Sequence, residues 1–120
     1  MKINKKILIA EDELLIAKVL RMQLEKLGFV VENVVHADEA FNKVKEMKPD
    51  VIILDVCLKN KTCGLEAGKK IREAGIKTPI IFTTGNSYAN TLQLMSDIKY
   101  STVLSKPVEF EHLLHLINRL

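Results

Sequence analysis

The chain has no tryptophan, and only 5% of its residues are aromatic. That leaves little material for stacking the bases of a single-stranded nucleic acid. A basic tract is missing too. The 18 lysines and arginines are scattered among 15 acids, for a net charge of +3, so a nucleic-acid arm is not indicated. No apolar run approaches the length of a membrane span. The opening MKINKKILIA sets lysines before apolar residues as a signal peptide does, but the run stops after ILIA at Glu11, too short for an h-region. A soluble cytoplasmic protein is the expectation. Cysteine is scarce: Cys57 and Cys63 have no second Cys or Cys/His pair at ligand spacing. This argues against zinc and for free thiols in a reducing compartment.

Several catalytic signatures are also absent. There is no G-x-G-x-x-G, no Walker A and no nucleophile elbow. His36, His112 and His115 are scattered, and the last two read as a solvated face of the final helix.

What is present is a regular alternation. The 120 residues suit one domain, and 48% are apolar, enough for a core. KKILIA (5–10) reads as a buried strand. From Leu14 the period changes, with Ile16, Leu20, Leu24 and Leu27 on one helical face and Gly28 suited to the C-terminal cap. FVVENVV (29–35) is a second strand. Ala40, Val44 and Met47 mark a helix from about Asp38, stopped by Pro49. VIILDV (51–56), the most apolar strand, is expected at the centre of the sheet. After the polar KNKTC (59–63) a helix spans 64–74, with Leu65 and Ile71 inward and Gly75 closing it. PIIFTT (79–84) is the fourth strand, NSYANTLQLMSDI (86–98) a weaker helix, and STVLS (101–105) the fifth strand. Pro107 is expected to open a last helix, on which Phe110, Leu113, Ile117 and Leu120 align.

Strict strand–helix alternation implies an α/β fold, a parallel sheet with helices on both faces. Right-handed crossovers leave mainly the doubly wound orders, whose ligands bind beyond the carboxyl ends of the strands. Those ends carry Glu11 and Asp12, then Asp55, then Thr83, Thr84 and Gly85, then Lys106 and Pro107; the second strand ends in Val35 and His36, without an acid. Taken singly, each has a structural reading. Acids suit a helix N-terminus, an Asp often ends a strand, and a lone Lys is usually solvated. Together they point to function. Three converging carboxylates repel, and a hard divalent cation such as Mg²⁺ relieves them. A lysine and a hydroxyl opposite suit a phosphoryl group. Glu13 is expected in the first turn of the first helix, not as a ligand.

In order and spacing, Glu11–Asp12 after ILIA, Asp55 ending VIILD, Thr84 in PIIFTTG, Lys106–Pro107 and the helix GLEAGKKIRE (64–73) resemble the receiver domain of two-component response regulators. The resemblance covers nearly the whole chain. It implies a flavodoxin-like (βα)5 three-layer sandwich, strand order 2-1-3-4-5, filling 1–120 as a single receiver domain, either stand-alone or part of a longer protein. Asp55 would accept a phosphoryl group from a phosphohistidine. Glu11, Asp12, Asp55 and the backbone carbonyl of Cys57 would hold Mg²⁺. Lys106 would pair with the phosphoryl group, and Thr84 would hydrogen-bond one of its oxygens. Such a domain is a phosphoacceptor with at most slow autodephosphorylation, not a turnover enzyme. Its implied partners are a sensor histidine kinase or phosphotransfer protein, and a downstream protein or attached output domain. No contact of this domain with nucleic acid or membrane is expected. A homodimer would use the face made by the helix at 86–98, the fifth strand and the last helix.

The chain departs from the family pattern in several places, Tyr100 standing where a small residue is common. Val103 stands where a Tyr or Phe is usual, leaving Tyr100 or Tyr88 as substitutes. The loop after Asp55 carries Lys59 and Cys63 in place of a Pro and an acid or amide, and is one residue longer. A second reading is a degenerate receiver, a binding module that no longer uses phosphorylation. A third, a phosphatase working through an aspartyl phosphate, needs a second Asp two residues after the nucleophile, where Cys57 stands.

Overall fold

The structure is a computed structural model and describes residues 5–56, 64–85 and 98–120. Short apolar segments form five parallel strands: β1 (Lys6–Ala10), β2 (Val30–Val34), β3 (Val51–Asp55), β4 (Ile80–Thr84) and β5 (Ser101–Ser105). Their order in the sheet is β2-β1-β3-β4-β5, the doubly wound order expected. β3 and β4 are buried along their whole length, because strands with helices over both faces have no solvated side.

Alternation along each strand divides the core in two. Leu8, Ala10, Ile52, Leu54, Ile80 and Phe82 pack with Ala40, Val44 and Met47 of α2 (Ala37–Met47) and Leu65, Ala67 and Ile71 of α3 (Gly64–Glu73). Ile7, Ile9, Val51, Ile53 and Ile81 pack instead with Leu24 of α1 (Leu14–Lys26) and with Leu113 and Ile117 of α4 (Phe110–Arg119). The result is three layers. Each fully buried Leu, Ile or Phe side chain contributes about 1.5–3 kcal/mol relative to exposure, so both helical layers are held by the sheet's own alternation. Gly68 on α3 makes room for the largest of these side chains. A Cβ there would lie 2.8 Å from Cζ of Phe82.

Three local expectations shift. On α1 the buried stripe is Ala17, Leu20 (partly) and Leu24, while Ile16 is 44% and Leu27 55% exposed. Leu15, Val19 and Met22 are also exposed, so α1 is apolar on more than one side and hydrophobic period alone could not set its rotation. Leu27 lies outside the core because it is the C-cap, followed by Gly28 at φ 96°. The last helix begins at Phe110, not at Pro107. The Lys106–Pro107 peptide is cis, and Glu109 is the N-cap, its carbonyl accepting the Leu113 N–H at 3.0 Å. Leu120 then falls at the exposed end of this helix. The helix expected at 86–98 lies outside the described residues except for Ile98, which is buried beside α3.

The pole where the strands begin is tied by Arg72. Its guanidinium donates to the carbonyls of Thr78 and Lys99 at 2.7 Å, Ile76 at 2.8 Å and Tyr100 at 3.1 Å. Burial lowers its pKa from the ordinary arginine value. Tyr100 sits at φ 57°, with the guanidinium 5.5 Å from its ring centre.

Candidate functional site

Strand register assembles the site at the opposite pole. Ala10 pairs with Leu54, so the next residues, Glu11 and Asp55, come level. Asp55 pairs with Thr83, and Thr84 with Ser105. The ladder runs one step past the strands: Glu11 N–H donates to Val34 O at 3.0 Å, Val56 N–H to Thr83 O at 2.9 Å, and Lys106 N–H to Thr84 O at 2.7 Å. Backbone bonds thus fix the chain just where each charged side chain leaves it.

Carboxylate oxygens of Glu11, Asp12 and Asp55 lie within 4.8 Å of one another. Glu11 is 6% and Asp55 3% exposed. Lys106 Nζ donates to Asp55 Oδ2 at 2.7 Å and stands 3.5 Å from Glu11 Oε1. Burial pushes the Glu11 carboxyl above its ordinary value. The Glu13 N–H, bonded to Glu11 Oε2 at 3.1 Å, opposes this, and the charges of Asp55 and Asp12 add to it. Partial burial pulls Lys106 down, but the hydrogen bond and charge of Asp55, with Glu11, hold it above the ordinary lysine value. Three acids against one ammonium leave an excess of negative charge in a poorly hydrated space. All the donors are hard oxygens, the set that a small divalent cation with retained waters requires, so these residues fit Mg²⁺.

Of the residues expected here, Glu11, Asp12, Asp55 and Lys106 are brought together. Thr84 is buried at the end of β4, one position past the Asp55–Thr83 pair. Cys57 and the loop bearing Lys59 and Cys63 lie outside the described residues, as does Tyr88. Tyr100 stands at the far pole, its carbonyl accepting the N–H of Ile80 at 3.0 Å. It is therefore at the other end of the sheet from Thr84 and cannot take the place of an aromatic beside it. Val103 pairs with Phe82 and packs into the core on the α3 side. Glu13 is the N-cap of α1 and not part of its first turn, and its carbonyl accepts the Ala17 N–H at 3.0 Å. Gly64, from the sequence only a helix start, lies against the Asp55 peptide and donates its N–H to Val56 O at 2.7 Å. A glycine opening a helix after an acid-bearing strand was the available signal.

Beside the acids a groove of about 630 Å³ runs between α1 and α4. Glu11, Thr83 and Lys106 line one end, and Leu15, Ile16, Val19, Val108 and Phe110 line much of the rest.

Comparison with known proteins agrees with this arrangement. The response regulator receiver domain family matches residues 7–118. The alkaline phosphatase synthesis transcriptional regulatory protein PhoP of Bacillus subtilis is 34% identical over 87% of this chain and 43% of its own length. The chain therefore spans about half the length of the curated relatives it matches. Among solved structures, the Vibrio cholerae chemotaxis protein CheY4 superposes with a TM-score of 0.88 at 28% identity, covering 97% of this chain and 98% of that one. The receiver domain of the sensor histidine kinase PA1611 of Pseudomonas aeruginosa, solved with a magnesium ion coordinated in its active site cleft, superposes with a TM-score of 0.84 at 26% identity, covering 97% of this chain and 96% of that one. With the strand order, the acid cluster and the family match in agreement, the chain belongs to the receiver domains of two-component response regulators.

Proposed function

We propose that Asp55 accepts a phosphoryl group from a phosphohistidine on a sensor histidine kinase or phosphotransfer protein, and that the domain changes conformation to pass the signal on. The observation that carries this is Asp55 itself, a buried carboxylate clustered with Glu11 and Asp12 and bonded at 2.7 Å to Lys106. A carboxylate oxygen of Asp55 attacks phosphorus and the P–N bond breaks. Its electron pair returns to the imidazole, which takes up a proton. Lys106 is placed to follow the transferring charge from Asp55 onto the phosphoryl oxygens. Thr84 is assigned a hydrogen bond to one of those oxygens. Glu11, Asp12, Asp55 and the carbonyl of Cys57 would hold Mg²⁺, which supplies charge neutralisation and orientation for in-line transfer. The magnesium ion in the PA1611 receiver supports this assignment.

Residues 1–120 are read as one receiver domain, working in the cytoplasm as a phosphoacceptor with at most slow autodephosphorylation. No helix among the described residues is long and apolar enough to cross a membrane. The groove between α1 and α4 opens beside the acids and presents the exposed Leu15 and Val19, which supports docking of a protein partner within reach of Asp55. Downstream, the reading assigns a protein target or an output domain of the same chain. The transcriptional role named for PhoP favours the latter.

The test is incubation with acetyl phosphate and Mg²⁺ followed by intact mass. The expected result is one added phosphoryl group in the wild type and none in Asp55→Asn. An unmodified wild-type protein, with Mg²⁺ shown to bind, would leave the phosphorylation-independent binding module as the better reading. The valine at position 103 is the observation on its side.

A further inference from the structure

We infer that Gly64 is a positioning residue for the phosphoacceptor, required for the space it leaves and not for its conformation. The inference rests on Asp55 being the acceptor. Two of the described glycines answer to conformation. Gly28 and Gly75 have φ values of +96° and +82°, and a Cβ on either would meet nothing within 4 Å. Gly64 is the reverse. It opens α3 in helical backbone, yet a Cβ there would overlap the carbonyl oxygen of Asp55. It would also lie 2.9 Å from the Asp55 carbonyl carbon and 3.2 Å from the Val56 Cα.

All three obstacles are backbone atoms, so no side chain can swing aside. The Asp55–Val56 peptide is held from both directions. On one side Val56 N–H bonds Thr83 O at 2.9 Å. On the other, Gly64 N–H bonds Val56 O at 2.7 Å. The chain leaves the sheet at Val56 and re-enters as α3 at Gly64, so the first residue of α3 sets how closely that helix seats on the acceptor's peptide. Any side chain at 64 must push the two apart. Asp55 then moves relative to Lys106, now 2.7 Å away, and to Glu11 and Asp12, whose oxygens lie within 4.8 Å. A displacement of about 1 Å at reacting groups costs on the order of 10²-fold in rate.

The experiment compares Gly64→Ala with Gly68→Ala in the full chain. Gly68 supplies a matched control, because its added Cβ would press on Phe82 in the core and not on the acceptor's backbone. Each variant is checked for folding by circular dichroism and urea titration. Mg²⁺ affinity is then measured by titration, and the rate of phosphorylation from acetyl phosphate by mass spectrometry. Folded Gly64→Ala is expected to bind Mg²⁺ about tenfold more weakly and to be phosphorylated at least about tenfold more slowly. Gly68→Ala should lose stability while staying within about twofold of the wild type on both readouts. The inference is overturned if folded Gly64→Ala matches the wild type. It is also overturned if both variants lose Mg²⁺ affinity in proportion to stability, or if Gly64→Ala does not fold, which would make Gly64 a folding residue. If the wild type takes up no phosphoryl group, the functional reading fails first and the inference with it.

Discussion

At the scale of single residues, adjacent acids have different tasks. Asp12 contributes an oxygen to the cluster, whereas Glu13 caps α1 through its backbone and lends its N–H to Glu11. Asp12→Ala should abolish Mg²⁺-dependent phosphorylation by acetyl phosphate. Glu13→Ala, which keeps both backbone bonds, should leave the rate within about twofold, since a surface acid near a helix N-terminus is worth only about 0.3–1 kcal/mol. A mass-spectrometric time course separates the two. The acids and the lysine were legible in the sequence because strand-end position and charge are both one-dimensional facts. Gly64 was legible only as a glycine opening a helix after an acid-bearing strand, because its constraint is a close approach between segments nine positions apart. Tyr100 was misleading for a similar reason. Its nearness to Lys106 in sequence conceals a full strand length of separation across the sheet.

At the scale of elements, strand boundaries and register follow from short apolar runs with little ambiguity, whereas the rotation of α1 does not. A helix with apolar residues on several sides carries no single phase. Leu24, fully buried, and Val19, 48% exposed, test the rotation found here. Leu24→Ala should cost about 2–5 kcal/mol in urea unfolding. Val19→Lys should stay within about 0.5 kcal/mol of the wild type and leave phosphorylation by acetyl phosphate unchanged, while slowing transfer from a phosphorylated kinase. A large loss of stability for Val19→Lys would show that this face is covered. Arg72 is the other element-scale device, one side chain holding the end of α3 to both connections that lead into β4 and β5. Arg72→Ala should cost about 3 kcal/mol, since the two part-buried bonds, to Ile76 and Thr78, each contribute about 1.5 kcal/mol at the low end for a charged donor, while water replaces the exposed ones to Lys99 and Tyr100. Amide exchange at Lys99–Ser101 should rise with it. Arg72→Lys should rescue little, because a single ammonium lacks the planar fork that reaches several carbonyls.

At the scale of the whole molecule, the acid cluster couples stability to pH and to metal. Glu11 has its pKa raised in the folded state by burial, so the folded chain holds that proton more tightly than the unfolded one. Its contribution to metal-free stability is present below the ordinary glutamate range and is lost as pH rises through the raised value. Mg²⁺ binding runs the opposite way, because it needs the carboxylates ionised. At a hundred times its Kd, Mg²⁺ should add about 2.7 kcal/mol, on the order of 10 °C in Tm for a domain of this size. That increment should be full at pH 8 and shrink towards pH 4 in thermal melts with and without the ion. An increment independent of pH would remove Glu11 from the ligand set.

The topology also sets an order in time. All three carboxylates lie within the first 55 positions, on strands that neighbour one another in the sheet, while their ammonium counterion follows at Lys106 on the edge strand's far end. During synthesis all three acids therefore exist before Lys106 is made. Until then their charge is answered by protonation or by dissolved cations. The negative half of the site is thus written first along the chain and its built-in counter-charge last.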